Sequence, residues 1–275
     1  MEPIPVVLHL GPLSVHTYGI GLAITFYVAS RYFVYRLSKA GLPTEWVPGF
    51  VIAVICSAIV GARAMHVVAN WSYYQDHLAQ IPAIWQGGLS SFGGLLLAVP
   101  VGIVFAHRSC PQIGTLRGLD LVAPVLMAAW AMGRLLGPQL MVAGGGHPST
   151  AWFAMSYAGQ DGRRVPVPII QAMEDATTYG ILLLTEKRLR SSRPARLTGT
   201  YPAGAVTALA MVLWGVSRWA DEKHLLDGGT NLGSRLVEAA SLALILGGTI
   251  LGARCASNWR KALLAVPGPL EALKD

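Results

Sequence analysis

Charge is scarce in this sequence. Asp, Glu, Lys and Arg make up only 13% of its 275 residues, against about a quarter in an ordinary soluble domain. So small a charged fraction cannot cover a water-facing surface, which excludes a conventional soluble globule and leaves lipid as the main surroundings. Cysteine is nearly missing too. Cys56, Cys110 and Cys255 are the three present, and no Cys-x-x-Cys or Cys/His pair has metal-ligand spacing. Neither a disulfide framework nor a zinc site is therefore expected. The opening Met1-Glu2-Pro3-Ile4-Pro5 lacks the basic stretch and small-residue cleavage site of a signal peptide, so the N-terminus is expected to be retained. Aromatics interleaved with Lys and Arg are also absent. Despite a formal net charge of +7, nucleic acid is not expected as a partner.

What the chain has instead is apolar length. Stretches of about 20 apolar residues are long enough to span a bilayer as helices. About seven are present, near 14–37, 47–69, 89–107, 118–140, 168–186, 202–220 and 235–255. Open strands cannot face lipid at that depth, so the expected fold is an all-α membrane protein with about seven transmembrane helices in one integral membrane domain over residues 1–275. The fifth stretch is the least apolar, because Gln171, Glu174 and Asp175 interrupt its early turns. Basic residues collect in alternate loops. Arg31, Arg36 and Lys39 close the first helix, His107, Arg108 and Arg117 separate the third and fourth, and Lys187, Arg188, Arg190, Arg193 and Arg196 follow the fifth. Arg254, Arg260 and Lys261 follow the seventh, whereas the loop at 70–88 has no Lys or Arg. This asymmetry places the N-terminus outside and the C-terminus in the cytoplasm. The Gly-rich segment 141–167 is too polar to span and is expected to be a small periplasmic head or loop insertion. No internal repeat is visible, which weighs against a carrier built from inverted halves.

Three arginines lie within or at the edge of the apolar runs: Arg63, Arg134 and Arg218. A guanidinium near the bilayer centre costs roughly 2.5–3.5 kcal/mol on insertion scales. It should face protein or a watery cavity and find a negative partner. Several together point to a buried anion site, and the commonest anion in a membrane is a lipid phosphate. Arginine suits phosphate because its planar fork donates two parallel bonds.

Motifs along most of the chain resemble the bacterial prolipoprotein diacylglyceryl transferase family. They begin with Leu10-Gly11-Pro12-Leu13-Ser14-Val15 followed by Tyr18-Gly19. Gly61-Ala62-Arg63 comes next, then the loop Ile84-Trp85-Gln86-Gly87-Gly88-Leu89-Ser90 with Gly93-Gly94. Asp120-Leu121-Val122-Ala123-Pro124 leads to Gly133-Arg134. After it come Trp152-Phe153-Ala154-Met155, Gln171-Ala172-Met173-Glu174, and Arg218-Trp219 with Glu222. Each alone is weak, but their order and spacing together are specific.

The resemblance implies a multi-pass protein of the bacterial inner membrane. It implies transfer of a diacylglyceryl group from phosphatidylglycerol, or another anionic phospholipid, to the lipobox cysteine at the signal peptide of a prolipoprotein. The bond made is a thioether and the leaving group is glycerol phosphate, with no cofactor or metal. Carried onto this chain, it makes Arg134, Arg218, Tyr18 and Glu222 the candidate catalytic residues. Arg63, Gly87, Gly88, Ser90, Gly93, Gly94, Gln171 and Glu174 are the candidate substrate-binding residues. Glu222, four residues after Arg218 and so on the same helical face, is expected to orient the guanidinium or to accept the thiol proton.

The chain also departs from the family pattern. Phe92 stands where family members carry a histidine, and a phenyl ring cannot take a proton. Gly137-Pro138-Gln139-Leu140-Met141-Val142 replaces a stretch with two amides and a carboxylate, Met173 replaces a tyrosine, and Pro168 stands where histidine is common. Two readings therefore stay open. One is a divergent transferase with a relocated base, for which His16, His66 and His147 are candidates by position. The other is a paralogue that binds phospholipid or lipoprotein without transfer. For individual residues a plainer role also stays open: Arg63 as a helix end snorkelling to the interface, Arg218 with Glu222 as a simple helix-end pair, and Tyr18, Trp71, Tyr73 and Tyr74 as an interfacial aromatic belt.

Overall fold

Among the described residues, seven long helices occupy the seven apolar stretches. In chain order the elements are strands β1 (Val7–Leu10) and β2 (Leu13–His16), then helices α1 (Thr17–Lys39), α2 (Val47–Ala69), the short α3 (Trp71–Tyr74), α4 (Ser91–Ser109) and α5 (Thr115–Leu136). Strands β3 (Met155–Ser156) and β4 (Arg163–Arg164) come next, followed by helices α6 (Val167–Ser191), α7 (Ala205–His224) and α8 (Leu232–Leu264). The computed structural model describes residues 7–10, 13–84, 88–137, 144–157, 159–192, 195, 201–226 and 232–264. The protein is an all-α membrane protein, and among the described residues the strands are two short antiparallel pairs. The first helix begins later than the apolar run does. Residues 13–16 pair with 7–10, Leu10 opposite Leu13 and Val7 opposite His16.

α2, α5 and Ser234–Lys261 of α8 are each long and apolar enough to cross a membrane, and Gly93–Ser109 is an apolar but shorter stretch. α8 has 33 residues, about 50 Å at 1.5 Å per residue, which exceeds the roughly 30 Å hydrocarbon core. α1, α6 and α7 fall below that apolar standard, and α6 and α7 are the helices that carry Gln171, Glu174, Asp175, Arg218, Asp221 and Glu222. Burial is inverted relative to a water-soluble protein. Ile52, Val60, Val68, Leu96 and Leu246 are exposed, while Asp120, Asp221, Asp175, Gln171, Glu186 and Arg63 are buried. Lipid tolerates the first set, and the second must find partners inside.

The chain divides into two compact units, residues 33–118 and residues 1–32 with 119–275. In the first, α2 and α4 touch backbone to backbone. A Cβ added to Gly61 would lie 2.4 Å from the Gly93 carbonyl oxygen, and one added to Gly93 would lie 2.4 Å from that of Gly61. Small residues are what allow helices to approach so closely in a membrane. Phe33, Trp46, Phe50 and Phe105 form a chain of ring contacts at centroid separations of 5.4 to 6.2 Å.

In the second unit, Ala123, Met127, Leu182, Tyr201, Val206 and Ala210 form the apolar core. α7 starts at Gly204, which has no side chain to cap it. Asp120 of α5 supplies the cap instead: Oδ2 accepts from the Gly204 N–H at 2.8 Å, and Oδ1 accepts from the Thr207 N–H and hydroxyl, each at 2.8 Å. The carboxylate thus satisfies orphan donors at the positive end of a helix. At the start of α1, Gly21 is pressed against the end of α5, where an added Cβ would lie 1.9 Å from the Leu136 carbonyl oxygen.

Candidate functional site

Helix α6 turns a polar stripe inward. Gln171, Asp175, Thr178 and Glu186 are all buried, spaced so that they share one face of a 3.6-residue helix. Two turns into α6 this stripe meets the last turns of α7. The Gln171 side-chain amide donates to Asp221 Oδ2 at 3.0 Å. The Arg218 guanidinium, three residues earlier on α7, donates to the same oxygen in an ion pair. Asp221 is 1% exposed, and a buried carboxylate is stabilised by donors of this kind.

Around this pair the structure brings together most of the charged residues singled out in that half of the sequence. Arg134, on the last turn of α5, acts electrostatically on Arg218, and both guanidiniums act on Glu174 and Asp175 of α6. Asp175 is 4% exposed and lies near the Trp214 side chain. Trp214 stacks at a tilt on Trp130 of α5, with 5.0 Å between centroids. Three helices therefore converge with two guanidiniums and four carboxylates: Glu174, Asp175, Asp221 and Glu222.

Glu222 is arranged differently from its sequence expectation. Its charge acts on Arg218, but the ion pair goes to Asp221, and Glu222 Oε1 accepts from the Ser234 hydroxyl at the start of α8. The buried carboxylate has the greater need of the guanidinium, and Glu222, half-buried, is satisfied by a neutral donor. Asp221, Asp175, Trp214 and Ser234 are members of the site that sequence reasoning did not single out. The spacing Arg218-x-x-Asp221 and the inward stripe Gln171-x-x-x-Asp175-x-x-Thr178 are signals that could have found two of them. Tyr18 lies in the first turn of α1, one turn before Gly21.

Arg63, Gly88, Ser90, Gly93 and Gly94 belong to the other compact unit, where they form a group of their own; Gly87 lies outside the described residues. The Arg63 guanidinium donates to the carbonyls of Gln80 at 2.6 Å, Ile81 at 2.7 Å and Gly88 at 3.1 Å, and lies over the Tyr74 ring. It pins Gln80, Ile81 and Gly88 to α2. Gly88 has φ +73°, and an added Cβ would lie 2.5 Å from the His66 ring, so only glycine fits there. Ser90 caps α4, its hydroxyl accepting from the Gly93 N–H. His66 packs on Tyr74 and hydrogen-bonds Asn70.

The segment 144–166 is strapped to the end of α7. The His147 N–H donates to the Leu225 carbonyl at 3.1 Å, and the His147 carbonyl accepts from Val165. The Arg163 fork holds the carbonyls of Trp152 and Ala154, presenting Trp152 at 89% exposure. Gly146 is wedged between α6 and α7: a Cβ there would lie 2.0 Å from the Leu225 oxygen and 2.7 Å from Val167. Gly146→Ala is therefore expected to push this strap off the turn after Asp221 and Glu222, destabilising the protein by about 1–3 kcal/mol. Thermal unfolding of detergent-purified protein reads this directly, and an unchanged midpoint would show that the strap relaxes without strain.

Among the described residues no group of three or more His, Cys, Asp or Glu side chains could hold a metal ion. Fold and site together define a helical membrane protein with a buried guanidinium–carboxylate cluster where α5, α6 and α7 meet. The family model of prolipoprotein diacylglyceryl transferase matches residues 5–254, and the chain belongs to that family. It is 28% identical over 255 residues to a phosphatidylglycerol–prolipoprotein diacylglyceryl transferase of Streptococcus pyogenes serotype M3, covering 90% of this chain and 93% of that one. It is 27% identical, over the same shares, to the protein of that name from serotype M5.

Proposed function

We propose that this chain transfers the diacylglyceryl group of phosphatidylglycerol to the lipobox cysteine of a prolipoprotein, at the outer face of the inner membrane. The observation that carries this reading is the convergence of Arg134 and Arg218 on one buried cluster, in a chain that belongs to the transferase family. Thiolate attack on the glyceryl carbon breaks the bond to the phosphate oxygen, and the phosphate leaves with an added negative charge. Fixed guanidinium donors in a water-poor site stabilise that charge more than they stabilise the starting diester, which is the condition for catalysis. Arg134 and Arg218 hold the phosphate. Gln171 and Asp221 hold Arg218 in place, and Tyr18, one turn before the α1–α5 contact, supplies a hydroxyl on the outer side. Arg63 and Gly88 shape the outer loop, and Gly93 and Gly94 let α4 lie against α2. The loop asymmetry in Lys and Arg supports an N-terminus outside, with segment 144–166 on the periplasmic side.

The test is reconstitution of the purified protein with phosphatidylglycerol and a lipobox peptide. Thioether-linked diacylglyceryl peptide and free glycerol phosphate are the expected products. Retention of phosphatidylglycerol without any thioether product would identify a lipid-binding paralogue instead. Complementation of cells depleted of their own lipoprotein-lipidating enzyme gives the same answer in vivo.

A further inference from the structure

The cluster has more negative than positive charge, and the excess has a chemical use. Glu174, Asp175, Asp221 and Glu222 are four carboxylates facing two guanidiniums, Arg134 and Arg218. A phosphodiester entering the site adds one more negative charge. The carboxylates are not equivalent. Asp221 holds Arg218 and Gln171 on one oxygen, Glu222 holds the Ser234 hydroxyl, and Glu174 is half-buried. Asp175 is buried one turn after Gln171 on the inward face of α6, and the groups whose charges reach it are both guanidiniums from α5 and α7 and Glu174 from its own helix.

We propose that Asp175 is the proton acceptor for the attacking thiol, an assignment that rests on the transfer reading above. The thiol sulfur forms a bond to the glyceryl carbon, and the carbon–oxygen bond to phosphate breaks, its electron pair leaving on the phosphate oxygen. The diester monoanion becomes a monoester dianion. In the same step the thiol proton passes to the Asp175 carboxylate, which becomes neutral. The negative charge lost at Asp175 equals the charge gained at the phosphate, so the net charge of the site stays constant. The positive charge of the two fixed guanidiniums, no longer offset by Asp175, then acts in full on the leaving group when its charge is largest. Both the proton transfer and the phosphate stabilisation thereby draw on one set of residues, and no charge has to enter or leave the membrane slab during the reaction.

The experiment compares cysteine and selenocysteine forms of the lipobox peptide, under reducing conditions, in proteoliposomes of phosphatidylglycerol. A selenol is ionised at neutral pH and needs no proton acceptor. Asp175→Asn keeps the size and polarity of the side chain and removes its capacity to take the proton. It is expected to lower kcat for the cysteine peptide by at least about a hundredfold, the usual scale of acid–base assistance, with KM little changed. For the selenocysteine peptide its kcat should fall less than about tenfold, and Asp175→Glu should recover part of the cysteine activity. Equal losses on both peptides would make Asp175 a structural residue and overturn the assignment, as would full cysteine activity in Asp175→Asn. A loss rescued by selenocysteine in Glu174→Gln, but not in Asp175→Asn, would overturn it in favour of Glu174. Absence of wild-type turnover on both peptides would overturn the transfer reading itself and this assignment with it.

Discussion

Arg218→Ala is expected to lower kcat for thioether formation by about a thousandfold, and Arg218→Lys by about a hundredfold. The difference comes from geometry. Lysine keeps the charge but offers a point donor in place of the planar fork, so it cannot hold a phosphate and Asp221 at once. Removing one donor to a developing oxyanion lowers kcat by roughly a hundred- to a thousandfold where the site is preorganised. The upper end applies here because Arg218 is held from two sides, by Asp221 and through it by Gln171, and so is already aimed before substrate arrives. Arg134→Ala should fall in the same range. The double variant should lose little more than the worse single one, since groups that act as a unit are not additive. The measurement is single-turnover transfer in phosphatidylglycerol proteoliposomes at saturating peptide. A lysine variant with wild-type kcat would show that the guanidinium fork does not touch the reacting phosphate.

The second large effect is on stability. Asp221→Ala strips Arg218 of its ion-pair partner, in a helix read as spanning the membrane, and leaves the Gln171 amide without its acceptor. Removing one partner from a buried pair destabilises by about 3–5 kcal/mol. Asp221→Asn should lose less, because the amide oxygen still accepts from Gln171 or Arg218. Among the described residues Asp221 Oδ1 has no hydrogen-bond partner, so all the stabilisation passes through Oδ2. The combination Arg218→Ala with Asp221→Ala should recover part of the stability lost in either single variant, since neither charge then remains buried alone. Unfolding in detergent followed by a double-mutant cycle measures this coupling. If the two single losses simply add, the guanidinium and carboxylate are stabilised independently and the ion pair contributes nothing of its own.

Much of the scaffold was legible in the sequence because the bilayer is a demanding solvent. It requires about twenty apolar residues per crossing and satisfied backbone groups throughout, and long apolar runs are easy to see. The start of the first helix was misplaced, since an apolar run has no mark where Leu13–His16 leaves helix for a strand pairing. The arginines were visible for the same reason: a guanidinium in an apolar run is expensive and therefore conspicuous. Their partners were harder to see. Glu222 looked the natural mate of Arg218 by i, i+4 spacing, yet Asp221 at i+3 holds it. Spacing admits both positions, and only the burial of Asp221 against α6 decides between them. Asp175 read as a blemish in a weak span. It became a member of the site once α6 was seen to turn Gln171, Asp175 and Thr178 toward its neighbours.

The glycines divide in the same way. Gly88, with its left-handed backbone, and Gly93, pressed on Gly61, were singled out from sequence as candidate substrate-binding residues. The structure shows that the approaching groups are the His66 ring and the α2 backbone. Arg63 likewise turns out to grip three carbonyls that follow its helix, those of Gln80, Ile81 and Gly88, a role invisible in a list of residues because carbonyls have no letter of their own.

By itself, then, the sequence determined that this is a helical membrane protein with cations placed where lipid phosphate is the natural anion. Those properties follow from composition and from the energy of moving groups out of water, and neither depends on how the helices are arranged. Which carboxylate answers which guanidinium was decided only in three dimensions. Such pairings depend on distances between α5, α6 and α7, and residues tens of positions apart along the chain become neighbours only after the helices have packed.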